Sequence, residues 1–235
     1  MSAATLDIEQ AAQSAQWDDS PETERIVLDG IRWETYIALS DDYTDRPGYR
    51  FTYDNGTLEI MTVAARHEKP NRALATLVQI IAEERGMDFV NLGSTTFRRK
   101  DLRKGFEPNT CFYFENTELM REKDEVDPRV DPPPNLIIEI DNTRSSKRRF
   151  PLFAAFGITE VWRHHRGTVQ FFGLHAGGYS EMTQSAVLPE VRPELVTGFL
   201  EAGRRQKSTD WLGSIRAWAR TGELTGSENS KIGKT

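Results

Sequence analysis

Two carboxylates interrupt an apolar, strand-like run near the middle of the chain. Glu139 and Asp141 fall within the stretch LIIEID, residues 136–141, whose other members are leucine and isoleucine. A charged side chain in such a run carries a large desolvation cost unless a cation or hydrogen bonds compensate it. Residues two apart in a strand point to the same face. We therefore expect both carboxylates on one side of a sheet.

A basic cluster follows these acids directly. It consists of Arg144, Lys147, Arg148 and Arg149, and it opens a helical segment that ends at Gly157. Acids on a strand beside bases on the next helix are the arrangement of a metal-dependent phosphodiester site. The same pattern fits a structural ion pair between the strand and one of the arginines. The residues alone leave both interpretations open.

The composition indicates an ordinary globular protein. Of the 235 residues, 37% are hydrophobic and 28% are charged. No apolar run reaches the ~18 residues that a membrane helix needs, and the first residues lack the apolar core of a secretory signal. The single cysteine, Cys111, excludes an intramolecular disulfide and a cysteine-based zinc site. We expect one domain and a cytoplasmic location.

Charge is distributed unevenly along the chain. The net charge of −6 argues against a protein that coats nucleic acid through bulk charge. Bases nevertheless predominate at residues 98–104 and again at 144–149, whereas acids predominate at residues 115–131. Positive charge is thus concentrated beside the candidate acidic site. It forms either a rim that contacts phosphates or an ordinary solvated surface.

Turn signals and periodicity predict the elements that position these residues. Asn55-Gly56 predicts a type I′ hairpin between strands at 48–53 and 57–63. Helical spacing from about His67 predicts a helix that stops at Gly86, with Pro70 in its first turn. Residues 31–37 fit either a short helix or a strand. Later segments predict strands at 89–92, 95–98, 106–114, 136–141, 160–163 and 169–172 and helices at 194–202 and 210–220.

Three segments follow from composition. Residues 1–25 are acidic and polar, which predicts a flexible N-terminal extension. Residues 26–220 carry the periodic apolar pattern of a folded domain. Residues 221–235 are polar and contain glycine, serine and lysine, which predicts a disordered tail.

The order of the elements resembles the PD-(D/E)xK nuclease superfamily, and more closely the Uma-two-type family of restriction endonucleases. The likeness extends over roughly residues 48–172, and its last two segments are specific in combination. The resemblance implies an α/β fold with a restriction endonuclease-like core, in which helices flank a mixed twisted sheet. The segments that carry it are YDNGTLEIM (53–61), RHEKPNRAL (66–74), FEPNTCFYF (106–114), PPPNLIIEID (132–141) and RRFPLFAAFGITEVWR (148–163).

The resemblance also implies a site that hydrolyses DNA with Mg²⁺ or Mn²⁺, as one or two ions. Glu139 matches the second carboxylate of the family pattern. Asn109, which follows Pro108, stands where the family has an aspartate. Hard cations prefer charged oxygen ligands, so this change weakens metal binding. Three alternatives follow: Glu107 supplies the missing charge, Asp141 supplies it, or the protein is a degenerate, inactive member.

The basic residue of the family pattern is displaced as well, because Asp141 occupies the lysine position. Arg149, four residues before Phe153, matches a basic residue that has moved to the following helix, and Lys147 is the nearby alternative. Arginine keeps its proton at working pH, so its expected role is to hold the attacking water or to neutralise the phosphate. Glu59 is either a further metal ligand or a structural partner.

Two functions from different classes therefore remain. The first is a magnesium-dependent DNA endonuclease that works as a homodimer, because cutting both strands takes two sites. The second is a catalytically inactive nuclease-fold protein that binds DNA or another partner. For the first function, the expected metal ligands are Glu139, Asn109, Glu59 and Asp141, and the expected catalytic residues are Asn109, Glu139, Asp141, Arg149 and Lys147.

Overall fold

A computed structural model of the chain describes residues 25–43, 48–62, 65–141 and 146–223, without the side chains of residues 65–67. The predicted N-terminal extension, apart from Arg25, and the tail from residue 224 onward lie outside these ranges. Arg144 of the basic cluster lies outside them too. Within the described residues, no helix is both long and apolar enough to cross a membrane.

Helices are interspersed among the strands along the chain, which confirms the predicted α/β fold class. The strands are β1 (Arg25–Leu28), β2 (Tyr49–Asp54), β3 (Thr57–Thr62), β4 (Val90–Gly93), β5 (Phe97–Arg99), β6 (Lys104–Phe106), β7 (Thr110–Tyr113), β8 (Leu136–Asp141), β9 (Glu160–His165), β10 (Thr168–His175) and β11 (Gly178–Met182). The helices are α1 (Trp33–Asp42), α2 (Ala65–Glu84), α3 (Thr117–Arg121), α4 (Phe150–Ala155), α5 (Pro193–Gly203) and α6 (Ser208–Thr221), with a 3₁₀ helix at Ser146–Arg149.

The strands form two sheets, one more than the sequence predicts. The five-stranded sheet has the order β1-β3-β2-β6-β5, and its strand pairs are antiparallel. The six-stranded sheet has the order β11-β10-β9-β8-β7-β4. It is mixed, because β8 and β9 run parallel and its other pairs are antiparallel. The 3₁₀ helix and α4 make the crossover between β8 and β9, as a parallel connection requires.

The two faces of β8 pack against different layers. Leu136, Ile138 and Ile140 belong to an apolar cluster that includes residues of α2, α5 and α6. Ile137 belongs to a second cluster, which includes Phe153 of α4 and residues of β5 and β6. The alternation puts the acids at positions 139 and 141 on the same face as Ile137. That face looks toward the crossover and the five-stranded sheet.

The predicted hairpin between β2 and β3 is confirmed. Asn55 and Gly56 have φ angles of 49° and 102°, the two positive values that a type I′ turn requires. Asp54 pairs directly with Thr57 across the turn. The turn therefore sets the register of both strands.

Residues 31–37, which fit either a helix or a strand, contribute to helix α1. Its buried Trp33 and Tyr36 pack against Tyr53 of β2, and the two tyrosine rings stack with centroids 4.9 Å apart. The residues alternate poorly for a strand but place two aromatic rings one turn apart in a helix. Packing against the five-stranded sheet decides between the two forms.

Helix α2 differs from its prediction at its start. It begins at Ala65, so Pro70 lies inside the helix rather than in its first turn. The ring removes the hydrogen bond that the amide at 70 would donate to the carbonyl at 66. Tertiary packing offsets this loss, because Leu74 and Leu77 are fully buried against the six-stranded sheet. The predicted stop at Gly86 is confirmed by its φ of 63°.

Candidate functional site

Glu139 is fully buried at the centre of β8. Its Oε2 accepts a hydrogen bond from Nη2 of Arg149 at 2.5 Å, and its Oε1 is buried without a partner. Burial raises the pKa of this carboxyl to about 7, against the positive charge of Arg149, which lowers it. The site thus contains a carboxyl group with one oxygen bound and one open.

Asn109 lies beside Glu139, immediately before β7. The pairing of Thr110 with Ile138 in the β7–β8 register puts residue 109 level with residue 139. Oδ1 of Asn109 accepts a hydrogen bond from the N–H of Ile140 at 3.0 Å, and its Nδ2 is buried without a partner. The carbonyl oxygen that a metal would need is therefore committed to the backbone of β8.

Asn71 of α2 fixes the backbone on which Asn109 stands. Its Nδ2 donates to the backbone carbonyl of Asn109 at 3.2 Å, and its Oδ1 accepts from the Thr110 hydroxyl at 2.8 Å. Asn71 is buried, so these bonds are shielded from water. Sequence reasoning did not predict this role. The available signal is a polar residue one turn before the buried apolar face of the helix.

Asp141, the last residue of β8, accepts several hydrogen bonds. Its Oδ2 accepts from Nε of Arg163 at 2.5 Å, from the N–H of Ser146 at 2.7 Å and from the Ser146 hydroxyl at 3.1 Å. Asp141 and Arg163 are both buried. This pair joins β8 to β9 and anchors the 3₁₀ helix. Arg163 is a residue that sequence reasoning missed, although a charged residue directly after Val161-Trp162 is a signal of buried pairing.

The two basic candidates occupy different places. Arg149 keeps 15% of its side chain exposed while it contacts Glu139. Its guanidinium carbon lies 5.6 Å from the ring centroid of Phe153, so the two side chains share one side, as their four-residue spacing predicts. Lys147 is exposed, and its Nζ lies 4.7 Å from the ring centroid of Phe172.

Glu59 and Glu107 belong to the five-stranded sheet and to the connection that leaves it. Glu59 lies on β3 and forms an ion pair with Arg25 of β1 at 2.5 Å. Glu107 lies between β6 and β7, and burial raises its pKa to about 7, against a hydrogen bond from Thr96 and the charge of Arg50. The structure thus brings Asn109, Glu139 and Arg149 together, whereas Glu59 has a partner of its own on another sheet.

Arg50 of β2 is the most informative residue that sequence reasoning missed. It is 9% exposed, and its Nη1 is buried without a partner. Its Nη2 lies 3.5 Å from Oε1 of Glu68 in the first turn of α2. Burial is the main cause that lowers the pKa of Arg50, and the negative charge of Glu139 is the largest influence that raises it. Arg50, on the other sheet, is therefore within the electrostatic influence of the acidic site.

These residues do not fit a divalent metal ion in this arrangement. Among the described residues, no three His, Cys, Asp or Glu side chains are grouped so that they could hold one. Glu139 and Asp141 each bind an arginine, and Oδ1 of Asn109 binds a backbone amide. Mg²⁺ demands near-octahedral oxygen coordination with charged ligands among them. The donor set includes one buried carboxylate oxygen without a hydrogen-bond partner, Oε1 of Glu139.

The mixed sheet, with its buried acids beside a crossover that carries an arginine, defines an α/β protein. The chain belongs to the Uma2 family, described as "Putative restriction endonuclease", whose profile matches residues 33–202. This match confirms the resemblance inferred from the sequence.

A crystal structure of a putative nuclease belonging to DUF820 from Anabaena variabilis ATCC 29413 is similar to this chain. The likeness covers 68% of this chain and 97% of that chain, with 10% sequence identity and a TM-score of 0.48. No curated protein matches the chain.

Proposed function

We propose that this chain is a DNA-binding protein of restriction endonuclease-like fold that has lost metal-dependent hydrolysis. One observation carries the proposal: Glu139 binds Arg149 at 2.5 Å while the neighbouring Asn109 commits its carbonyl oxygen to the backbone. Two of the four positions expected to hold a metal are thus engaged by the protein itself.

Arginine takes over the charge that a metal ion would supply. Arg149 compensates Glu139, and Arg163 compensates Asp141. A divalent cation would have to displace Arg149 and leave that guanidinium without its partner. Breaking a buried ion pair costs about 3–5 kcal/mol. A single open oxygen on Glu139 does not offset this cost, because Mg²⁺ also gives up bound water reluctantly.

DNA is the proposed ligand because the family is described as restriction endonucleases. Lys147 and Arg148 of the 3₁₀ helix are exposed immediately before Arg149, which itself keeps part of its side chain exposed. Such side chains contact phosphates and set affinity without reading sequence. The net charge of −6 over the whole chain restricts this contact to a local basic surface.

A metal-dependent endodeoxyribonuclease is the second candidate, and a specific observation favours it. Oε1 of Glu139 is buried without a hydrogen-bond partner, as expected of an oxygen that ligates a metal ion. In this candidate, Glu139 with Asn109, Asp141 or Glu59 would hold Mg²⁺ or Mn²⁺, and Arg149 or Lys147 would contact the phosphate. Two chains would be required to cut both strands.

Two assays on the full chain separate the candidates. The first measures binding of a fluorescent DNA duplex in EDTA, and the second measures plasmid nicking in Mg²⁺ or Mn²⁺ by the wild type and Glu139→Ala. We expect duplex binding in EDTA and no nicking by either protein. Nicking by the wild type that disappears in Glu139→Ala would establish the endonuclease. A wild type that neither binds nor nicks DNA would overturn both candidates.

A further inference from the structure

Two arginines lie in the neighbourhood of the buried Glu139, one on the crossover after β8 and one on the five-stranded sheet. Arg149 belongs to the crossover after β8 and donates to Oε2 of Glu139 at 2.5 Å. Arg50 belongs to β2 of the five-stranded sheet and contacts Glu68 of α2, one helical turn before Asn71. Asn71 binds the backbone of Asn109, which lies level with Glu139 in the β7–β8 register. These contacts place Arg50 on the side of the site where Asn109 and Glu139 meet.

The charge of Arg149 also acts on Arg50. Burial is the largest cause that lowers the pKa of Arg50, and the positive charge of Arg149 lowers it further. Like charges in a poorly solvated place repel more strongly than in water. An anion that contacts both groups relieves this repulsion.

One N–H group of Arg50 is available to bind such an anion. Its Nη1 is buried without a partner, and the contact of its Nη2 with Glu68 is long, at 3.5 Å. A buried donor without an acceptor is costly and calls for an explanation by a ligand or water. Nη2 of Arg149 donates to Glu139, and this hydrogen bond holds the guanidinium group of Arg149 in place.

The site is reachable from the surface. Arg50 and Arg149 keep 10% and 15% of their side chains exposed, whereas Glu139 behind them is closed off. Glu68, which is 33% exposed, covers Arg50 through the long contact described above. An incoming anion with several oxygens competes directly with the Glu68 carboxylate for Arg50.

We propose that Arg50 and Arg149 form a metal-independent site for one phosphate group of a nucleic acid, with Glu139 as the residue that positions Arg149. Phosphate matches the planar guanidinium fork, which gives two parallel hydrogen bonds to an oxyanion. The identity of the ligand as nucleic acid rests on the proposed function, whereas the phosphate site rests on these side chains alone.

The test measures the binding of inorganic phosphate to the full chain in EDTA by calorimetry. We expect the wild type to bind phosphate, and Arg50→Gln and Arg149→Gln each to weaken binding ~10-fold or more, as loss of a charged hydrogen bond predicts. Arg50→Lys keeps the charge but not the fork, so it should bind with intermediate affinity. Arg121→Gln is the matched control, because Arg121 pairs with Asp88 on the exposed surface.

Folding is verified for each variant by circular dichroism and thermal unfolding, and Arg50→Lys serves if Arg50→Gln fails to fold. If the wild type binds no phosphate in EDTA, the proposed site is wrong. It is also wrong if a folded Arg50 variant binds phosphate with the same affinity as the wild type. Unchanged duplex binding by Arg50→Gln overturns nucleic acid as the ligand. Phosphate binding that depends on Arg50, in a protein that does not bind DNA, supports the site and overturns the proposed function instead.

Discussion

Arg149 donates a hydrogen bond across 2.5 Å to Glu139, whose carboxyl group is fully buried. The pair spans the step from β8 to the crossover helix. The proposed loss of a metal site depends on this pair, because the guanidinium neutralises an acid that a cation would otherwise bind.

Removal of Arg149 should destabilise the protein strongly. Arg149→Ala removes the hydrogen-bonded partner of the buried Glu139 carboxylate at pH 8, which we expect to lower the free energy of unfolding by about 3 kcal/mol. The measurement is urea unfolding followed by circular dichroism. Arg121→Ala, at an exposed ion pair, should change this free energy by no more than ~1 kcal/mol. Equal effects of the two substitutions would contradict the importance of the buried pair.

Substitution of Asn109 by aspartate should create a metal site. The new carboxylate would keep the bond from Ile140 through one oxygen and place its second oxygen where Nδ2 of Asn109 now lies without a partner. Two carboxylates side by side, at positions 109 and 139, attract a divalent cation. We expect Asn109→Asp to bind Mg²⁺ at least ~10-fold more tightly than the wild type in calorimetry.

The matched control for this change is Asn135→Asp. Asn135 also accepts backbone amides through Oδ1, from Phe114 at 2.8 Å and Glu115 at 3.0 Å, but it is not among the residues around Glu139. It should leave Mg²⁺ binding unchanged. If Asn109→Asp binds Mg²⁺ no better than this control, the asparagine is not what prevents metal binding. Plasmid nicking by Asn109→Asp alone would further support a degenerate site.

Stability should fall as the pH rises through the titration of Glu107. Burial raises the pKa of Glu107 from 4.5 to about 7, so the folded chain binds more protons than the unfolded chain between these values. The free energy of unfolding therefore decreases with rising pH in this window. Urea unfolding from pH 5 to pH 8 should show a loss in the wild type about 1–3 kcal/mol larger than in Glu107→Gln.

Titration of Glu139 should also lower the free energy of unfolding as the pH rises, because burial raises the pKa of Glu139 as well. Glu107→Gln should therefore flatten the pH dependence without abolishing it. Glu118→Gln, at an exposed position on α3, should follow the wild type throughout. Parallel curves for Glu107→Gln and the wild type would show that Glu107 is not buried in the protonated form.

Because β6 packs closely against α1, substitution of Gly105 by alanine should destabilise the protein. A Cβ atom at Gly105 would lie 2.8 Å from Cζ of Tyr36 and closer still to its hydroxyl oxygen, and Tyr36 is fully buried and stacked on Tyr53. We expect Gly105→Ala to cost about 1–3 kcal/mol of unfolding free energy in urea. The second substitution Tyr36→Phe should recover part of this loss, because it removes the closest atom.

Gly213 provides the comparison for this prediction. A Cβ at Gly213 meets nothing within 4 Å, and the residue lies inside helix α6. Gly213→Ala should therefore stabilise the protein by about 0.5–1 kcal/mol. An equal loss from both glycine substitutions would indicate that packing against Tyr36 is not the cause.

The sequence by itself determined the features that depend on neighbours along the chain. Asn55-Gly56 determined the hairpin, since its two residues tolerate positive φ wherever the strands lie. The alternation of residues 136–141 determined that Glu139 and Asp141 share a face. The spacing of Arg149 and Phe153 determined that their side chains meet. The quoted segments also sufficed to identify the family, which the profile match confirms.

Only the tertiary structure decided which charges meet. Arg50, on a second sheet, is within the electrostatic influence of Glu139, and Arg163 reaches Asp141 across 22 positions of the chain. No local pattern encodes such pairs, because they depend on how β2 is placed relative to β8 and on the parallel register of β8 with β9. A carboxylate in an apolar strand signals that a cation must be near. Whether that cation is a metal ion or an arginine is decided by the fold around it.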